Sequence, residues 1–596
     1  MVLVDRVARS TVEVDVATGP VESFGGLRRL LAALADAGAD FGDLPRRHPA
    51  EWGRLTAPSP ENARALAGIA LSASERRLHR ESEQTFRVLA VGAAAVCHGS
   101  ESLQAPVVLR GVGRTDLPSL RGFVRAREYG AAMGLGRMQV VAADAVQVPV
   151  LTAAADTRAE RARALQALGL DVDVSQLRVM RPDQQPAGGA GSGRTADAVL
   201  YQAALATGAP PADRLRAALA YCRSSFYSSN WEGMALVATA CLPLAARLTR
   251  AELVQVADGE DDDWDDQAIE YEPALLRHRA DLSAYLLKVL GVQASFRGLQ
   301  DEALEYFRGM RQLDEQISAE LRAQSHLYCA LTLAKRQHRL PEAVGELETG
   351  FSTVQERTGE PASVRRERGW LHNLRGLTLF RQGDLVAAFD HEKAALACIE
   401  GGSDASSVHL RVNLVSNISV LQESAGRLSA ALKTWERFRT DGVQSDAKFV
   451  KHHAYRTGGL KVLAGDVEGG LPLLTESLRR STEAADDFHE FEIAAEVGTL
   501  LLGRQRGVEA ADHYERAAQA AARLGDPYRM AVAAVGLSAA TRSAVPDQVA
   551  QLAALSVTQA TEARALVDGC RGGADAVSLL PRVRTKLNRP FDLINL

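Results

Sequence analysis

The stretch Lys288–Phe307, KVLGVQASFRGLQDEALEYF, holds the pattern that decides the fold. Gly291 lies seven residues before Gly298 and twelve before Ala303, and Phe307 follows Ala303 by four. Two helices packed antiparallel need small residues where their backbones approach and a large apolar one to fill the space beside them. A glycine between them lets the chain reverse. The stretch therefore reads as a helical hairpin, and the question is whether it stands alone.

It recurs. NLRGLTLFRQGDLVAAFDHEKAAL carries Gly376, Gly383, Ala388 and Ala395 in the same phase. NISVLQESAGRLSAALKTW carries Asn417, Ser419, Gly426, Ala431 and Trp435. Further copies place Gly458, Gly465 and Gly470, then Gly498, Ala510, Tyr514 and Ala517, with a weaker one around Ala343. Taking the small residue of the second helix as marker gives positions 303, 343, 388, 431, 470 and 510, with steps of 40, 45, 43, 39 and 40. A steady period in this range marks a helical solenoid. Another copy fits around Ala235, and a degenerate one closes the array near Gly536. The expected fold is mainly α: an α-α superhelix over residues 205–570 behind a smaller N-terminal α/β domain. The pattern resembles the tetratricopeptide repeat in its longer, forty-odd-residue form, as in kinesin light chains and bacterial peptide-sensing regulators.

Composition limits the function classes. The 596 residues exceed one compact core, and 46% hydrophobic with 24% charged residues is the balance of a soluble globular chain. A net charge of -5 gives no basic footprint for nucleic acid. Apolar runs are short and broken by charge, which argues against a membrane span. The six cysteines form no CxxC pair, so free thiols and a cytoplasmic location are expected. Only eight of 69 basic residues are lysines, the first being Lys288, in an Ala-rich chain of the kind GC-rich bacterial genomes encode.

The N-terminal domain, residues 1–181, mixes helical patterns (LRRLLAALADAG, ERARALQALGL) with strand-like runs (RVLAVGAA, PVVLRGVG, MQVVAADA). Residues 105–130, APVVLRGVGRTDLPSLRGFVRAREYG, loosely resemble part of the nucleotide-binding region of large ATP-binding bacterial transcriptional regulators. Gly111 and Val112 stand where that family has acidic residues, and no lysine precedes Lys288 to serve a phosphate loop, so no ATP and no other cofactor is expected. Residues 182–195 are a Pro/Gly/Ser-rich linker, 258–272 an acidic insert containing Trp264, and 571–596 a tail that is basic and then apolar. The insert fails as a calcium loop, with Ile269 in place of the bidentate glutamate.

No catalytic or metal-ligating motif stands out. Cys97-His98 and His452-His453 are neighbours in sequence, a poor arrangement for a shared reaction or ligand. The expectation is a groove. In tetratricopeptide arrays the first helix of each unit lines the concave face, and the resemblance carried copy by copy implies Tyr328, Trp370, Asn373, Phe380, Asn413, Asn417, His452, Tyr455 and Arg456 as peptide-binding residues. Asparagine amides both donate and accept, so Asn373, Asn413 and Asn417 suit a peptide backbone. Lys288 stands alone, without the polar partners of chaperone-tail binding. The expected partner is thus a protein or peptide, without direct nucleic acid or membrane contact, and a homo-oligomer is an open alternative. The expected role is that of a scaffold or regulator. The alternative is an enzyme, or an essential enzyme subunit, whose peptide substrate the repeats deliver.

Overall fold

The structure is a computed structural model that describes residues 11–69, 83–136, 138–149, 152–180, 195–257, 276–313, 316–440 and 447–580. Most of the linker, all of the acidic insert with Trp264, and the tail from residue 581 lie outside them.

Helix pairs make up the C-terminal two thirds. Eight are present among the described residues: Pro211–Tyr227 with Trp231–Ala245, Asp281–Phe296 with Gln300–Arg311, Ala319–Lys335 with Leu340–Thr353, Ala362–Arg381 with Leu385–Cys398, Ala405–Ser424 with Leu428–Thr440, Ala447–Leu463 with Val467–Glu483, Asp487–Gly503 with Gly507–Leu524, and Pro527–Thr541 with Gln548–Ala554. They are numbered as repeats one to eight below. Each second helix packs on its own first helix and then on the next repeat, giving a tetratricopeptide-like superhelix.

The local sterics follow the sequence phase. The markers Ala303, Ala343, Ala388, Ala431 and Ala510 are all fully buried. Five residues before the marker the backbone turns with φ positive: Gly298 at 85°, Gly383 at 84°, Gly426 at 71° and Gly465 at 88°. In the third and seventh repeats His338 and Gln505 hold the same turn without glycine's freedom, at φ 57° and 62°. The Lys288–Phe307 hairpin closes on itself: a Cβ at Gly291 would stand 2.4 Å from the Phe307 ring. Gly498 and Gly536 flank the Tyr514 ring in the same manner.

The N-terminal domain holds a parallel three-stranded sheet ordered β1 (Val12–Asp15), β2 (Val107–Arg110), β3 (Met138–Val140). Val107 pairs with both Val12 and Met138, so β2 is central and buries Val107 and Leu109. Parallel strands need crossovers, here by way of helices Gly25–Asp36, Glu83–Leu103 and Leu117–Met133, which pack together. One expectation fails: RVLAVGAA lies inside the Glu83–Leu103 helix. That helix is buried at most positions, so it lacks the polar face that distinguishes an amphipathic helix from an apolar strand.

The N-terminal domain touches both ends of the array. On the first repeats, the wholly buried Arg161 and Glu232 pair at 2.5 Å. Tyr221 donates to the Val21 carbonyl at 2.8 Å, Asn230 to Pro20 at 2.9 Å, and Arg297 pairs with Glu160 at 2.8 Å. On the last repeats, Arg47 pairs with Asp487 at 2.8 Å, and Phe86 meets Phe488 edge-on at 5.1 Å. Glu128 accepts from the amides of Val557 and Thr558 at 2.7 and 2.8 Å. Gly525, at φ 57°, lies so close to Tyr129 that a Cβ would overlap the ring at 1.9 Å. The domain thus joins the two ends of the superhelix into a closed circuit.

Candidate functional site

First helices of successive repeats face one another through polar side chains, several of them deeply buried. Lys288 donates to Gln324 at 3.4 Å, and Gln324 donates to Glu367 at 3.1 Å. Asn417 donates to Asn373 at 2.7 Å. Arg456 pairs with Glu423, Tyr455 donates to Glu496, and Arg529 reaches Glu492 at 3.1 Å. Each of these bonds joins one first helix to the next, making a polar seam along the array.

The seam sorts the expected groove residues. Tyr328, Trp370 and Arg456 are 0%, 1% and 1% exposed and belong to the interior. Tyr328 stacks on Phe307 with ring centroids 5.1 Å apart, and Trp370 Nε1 donates to Ser406 at 3.3 Å. Burial lowers the Arg456 guanidinium, with Glu423 holding it up. These three are therefore corrected from groove to core: the first helices pack closely enough to enclose them. Asn413 is buried as well. Asn373, Phe380, Asn417, His452 and Tyr455 are half-buried. The Tyr455 hydroxyl is pushed well above its usual value by burial and by Glu496. His452 lies edge-on to Trp435 at 5.7 Å.

Lys288 also departs from expectation. It has a partner in Gln324, and its ammonium sits 4.7 Å over the Tyr285 ring. Cys97 donates to the Ala126 carbonyl, and burial pushes its thiol up to about 12, while the neighbouring His98 meets the Tyr129 hydroxyl at 2.9 Å. The pair diverges and the thiol is held in its unreactive form.

Sequence reasoning missed Glu392. It lies beneath the Asn373–Asn417 pair, is fully buried, and has Oε1 only 3.5 Å from the Asn417 amide nitrogen. Its Oε2 has no hydrogen-bond partner. Burial pushes the carboxyl well above the usual carboxylate range, with the Asn417 bond pulling the other way. The signal was present: four residues after the marker, other repeats carry Phe307, Leu347, Trp435, Leu474 and Tyr514. Near it, His372 and His391 approach Nδ1 to Nδ1 at 2.9 Å beside Phe351, so one ring donates and the other accepts. Burial pushes His372 down to about 4.

The centre of the array thus gathers two half-buried amides over a neutral-leaning carboxyl, with the apolar Phe380 about two helical turns beyond Asn373 on the Ala362–Arg381 helix. Amides of this kind can bond a peptide backbone without reading its side chains.

No family model and no curated protein matches the sequence. Among solved structures, the Rap conjugation gene regulator of the plasmid pLS20, in complex with the Phr* peptide, is similar at 11% identity. It covers 59% of this chain and 98% of its own, with a TM-score of 0.29. The APC/C hetero-tetramer Cut9-Hcn1 is similar at 11% identity over 83% of this chain and 87% of its own, with a TM-score of 0.30. At these scores the overall courses of the chains differ, and the fold reading rests on the helix pairs themselves. Among the described residues no helix is long and apolar enough to cross a membrane.

Proposed function

We propose that the chain is a regulator or scaffold that binds an extended peptide, or an extended segment of a protein, along the first helices of its central repeats. The observation that carries this reading is the Asn373–Asn417 pair: two half-buried amides, from successive first helices, bonded to each other at 2.7 Å. A peptide group can take the place of that mutual bond, giving each amide a backbone partner. Phe380, His452 and Tyr455 supply apolar and aromatic surface on either side. The six thiols, all without disulfides, support a reducing compartment such as the cytoplasm. A partner recovered by co-purification and identified by mass spectrometry supplies the ligand for the test. Asn417→Ala should then weaken its binding by about 1–3 kcal/mol, the cost of a buried peptide group left unpaired. Tyr455→Ala should weaken it as much or more. Folded variants that keep parental affinity would move the site off this face.

A further inference from the structure

Glu392 reaches the polar seam from the Leu385–Cys398 helix, beneath the two asparagines. Its carboxyl is wholly buried, and Gly376 on the facing helix makes the room for it. Oε1 accepts from Asn417 at 3.5 Å, and Oε2 has no hydrogen-bond partner. Other seam carboxylates have a guanidinium: Glu423 pairs with Arg456, and Glu492 with Arg529 at 3.1 Å. Glu392 has none. Among the described residues only burial and the Asn417 bond act on its charge. His372 and His391 belong to the same two helices, but they respond to burial, to one another and to Arg368, Arg375 and Asp390.

A carboxyl buried without a counter-charge keeps its proton, and a cation brought against it favours the charged form. The place for such a cation is marked by Asn417 Nδ2. That nitrogen lies 2.7 Å from Asn373 Oδ1 and 3.5 Å from Glu392 Oε1, so it donates into a pair of oxygens. When the Asn417 amide turns aside, those two oxygens are left for a ligand, and its own Oδ1 supplies a third. Three oxygens match the three donors of a primary ammonium. A guanidinium, planar and forked, suits a single flat carboxylate better than three separate oxygens.

We propose that the peptide bound on this face presents a primary ammonium, and that Glu392 is the residue that selects it. This rests on the peptide-binding reading of the Asn373–Asn417 pair and names the chemistry of its ligand. The ammonium comes from a lysine side chain or from the peptide's own N-terminus. On binding, the Glu392 proton leaves to solvent. The ammonium keeps its three protons and donates them to Glu392, Asn373 and Asn417. An uncharged side chain at the same point leaves the carboxyl as it is in the free protein and gains nothing from it.

The probes are pools of hexapeptides with a fluorophore at the C-terminus, one position fixed as lysine or as the uncharged norleucine and the others mixed. Each pool is made with a free and with an acetylated N-terminus, which separates the two sources of ammonium. Fluorescence anisotropy with the full chain should show the ammonium-bearing pools binding about tenfold or more tighter than the acetylated norleucine pool. In Glu392→Gln, and in Glu392→Leu with the apolar filler of other repeats, that preference should vanish while the uncharged pool still binds. The tightest ammonium-bearing peptide, made singly, should release a proton on binding at pH 7 and none in Glu392→Gln. Calorimetry in two buffers of different ionisation heat reads it. Equal binding of charged and uncharged pools, both weakened by Asn417→Ala, would overturn the proposal and leave the peptide groove standing. A preference that survives in the folded Glu392 variants, or binding without proton release, would place the ammonium on another group and overturn it too. If no pool binds, the groove reading fails and this proposal fails with it.

Discussion

Glu392 stands against Gly376 in the place that Phe307 takes against Gly291. A Cβ at Gly376 would lie 2.5 Å from Glu392 Oε1, and one at Gly291 would lie 2.4 Å from the Phe307 ring. The fourth repeat therefore keeps the small residue of the pattern and replaces its apolar filler with a carboxyl. A residue that breaks the local rule without an evident gain in packing is a mark of function rather than of stability.

Glu392→Leu should accordingly stabilise the fold at pH 7 by about 1–3 kcal/mol, the cost of a buried polar group without full partners. The sign with pH follows from the raised carboxyl. In the folded chain Glu392 keeps its proton, whereas the unfolded chain releases it above about pH 4.3. Stability is thus lost as pH rises from there, and only in the parent. Urea midpoints of parent and variant should converge near pH 4 and separate toward neutrality. If Asn373 and Asn417 bind a peptide over this carboxyl, the stabilised variant should bind it less well.

Packing inside a hairpin has its own test. Gly291→Ala drives a methyl into the Phe307 ring and should cost about 1–3 kcal/mol. Adding Phe307→Leu makes room, so the pair should cost less than the sum of the two single changes. An additive double mutant would contradict the facing of these two residues.

Acid should weaken the fourth repeat by a separate route. Burial holds His372 down to about 4, so the folded ring stays neutral while the unfolded ring gains a proton below about pH 6.5. Stability is then lost as pH falls from 6.5 toward 4. His372→Leu should lessen that loss by roughly 1–2 kcal/mol, discounted because the site is only part-buried. Thermal melts at pH 7 and pH 5 measure it.

The two ends of the circuit should differ in their tolerance of change. Glu232→Ala leaves the buried Arg161 without its partner and should cost roughly 3–5 kcal/mol. Arg47, whose side chain is 30% exposed beside Asp487, should cost about 0–1 kcal/mol when replaced by alanine. Circular dichroism melts of both variants, run in parallel, check the contrast.

The array was legible in the sequence because its requirements are local. Ala303, Ala388 and Ala431 must be small, and Gly298 and Gly383 must turn, whatever lies further along the chain. The Glu83–Leu103 helix was misread because burial on all sides removes the polar stripe by which a helix is recognised. Tyr328, Trp370 and Arg456 were placed in the groove from their phase on the first helix. That phase gives direction but not depth, and depth is set by how closely the next repeat packs. The junction of Arg47 and Phe86 with Asp487 and Phe488 had no trace in the sequence, since some four hundred residues separate its two sides.

That separation bears on how the protein is made. Arg47 and its partner Asp487 lie 440 residues apart. At translation rates of roughly 5–20 residues per second, the N-terminal domain waits about 20–90 s before its seat on the seventh repeat exists. During that interval Arg47, Phe86 and Tyr129 lack the array residues that cover them. A linear stack of repeats can settle piece by piece as it emerges. This chain cannot complete its first domain's contacts until Thr558 has been synthesised, so that surface stays uncovered while the whole array is being made.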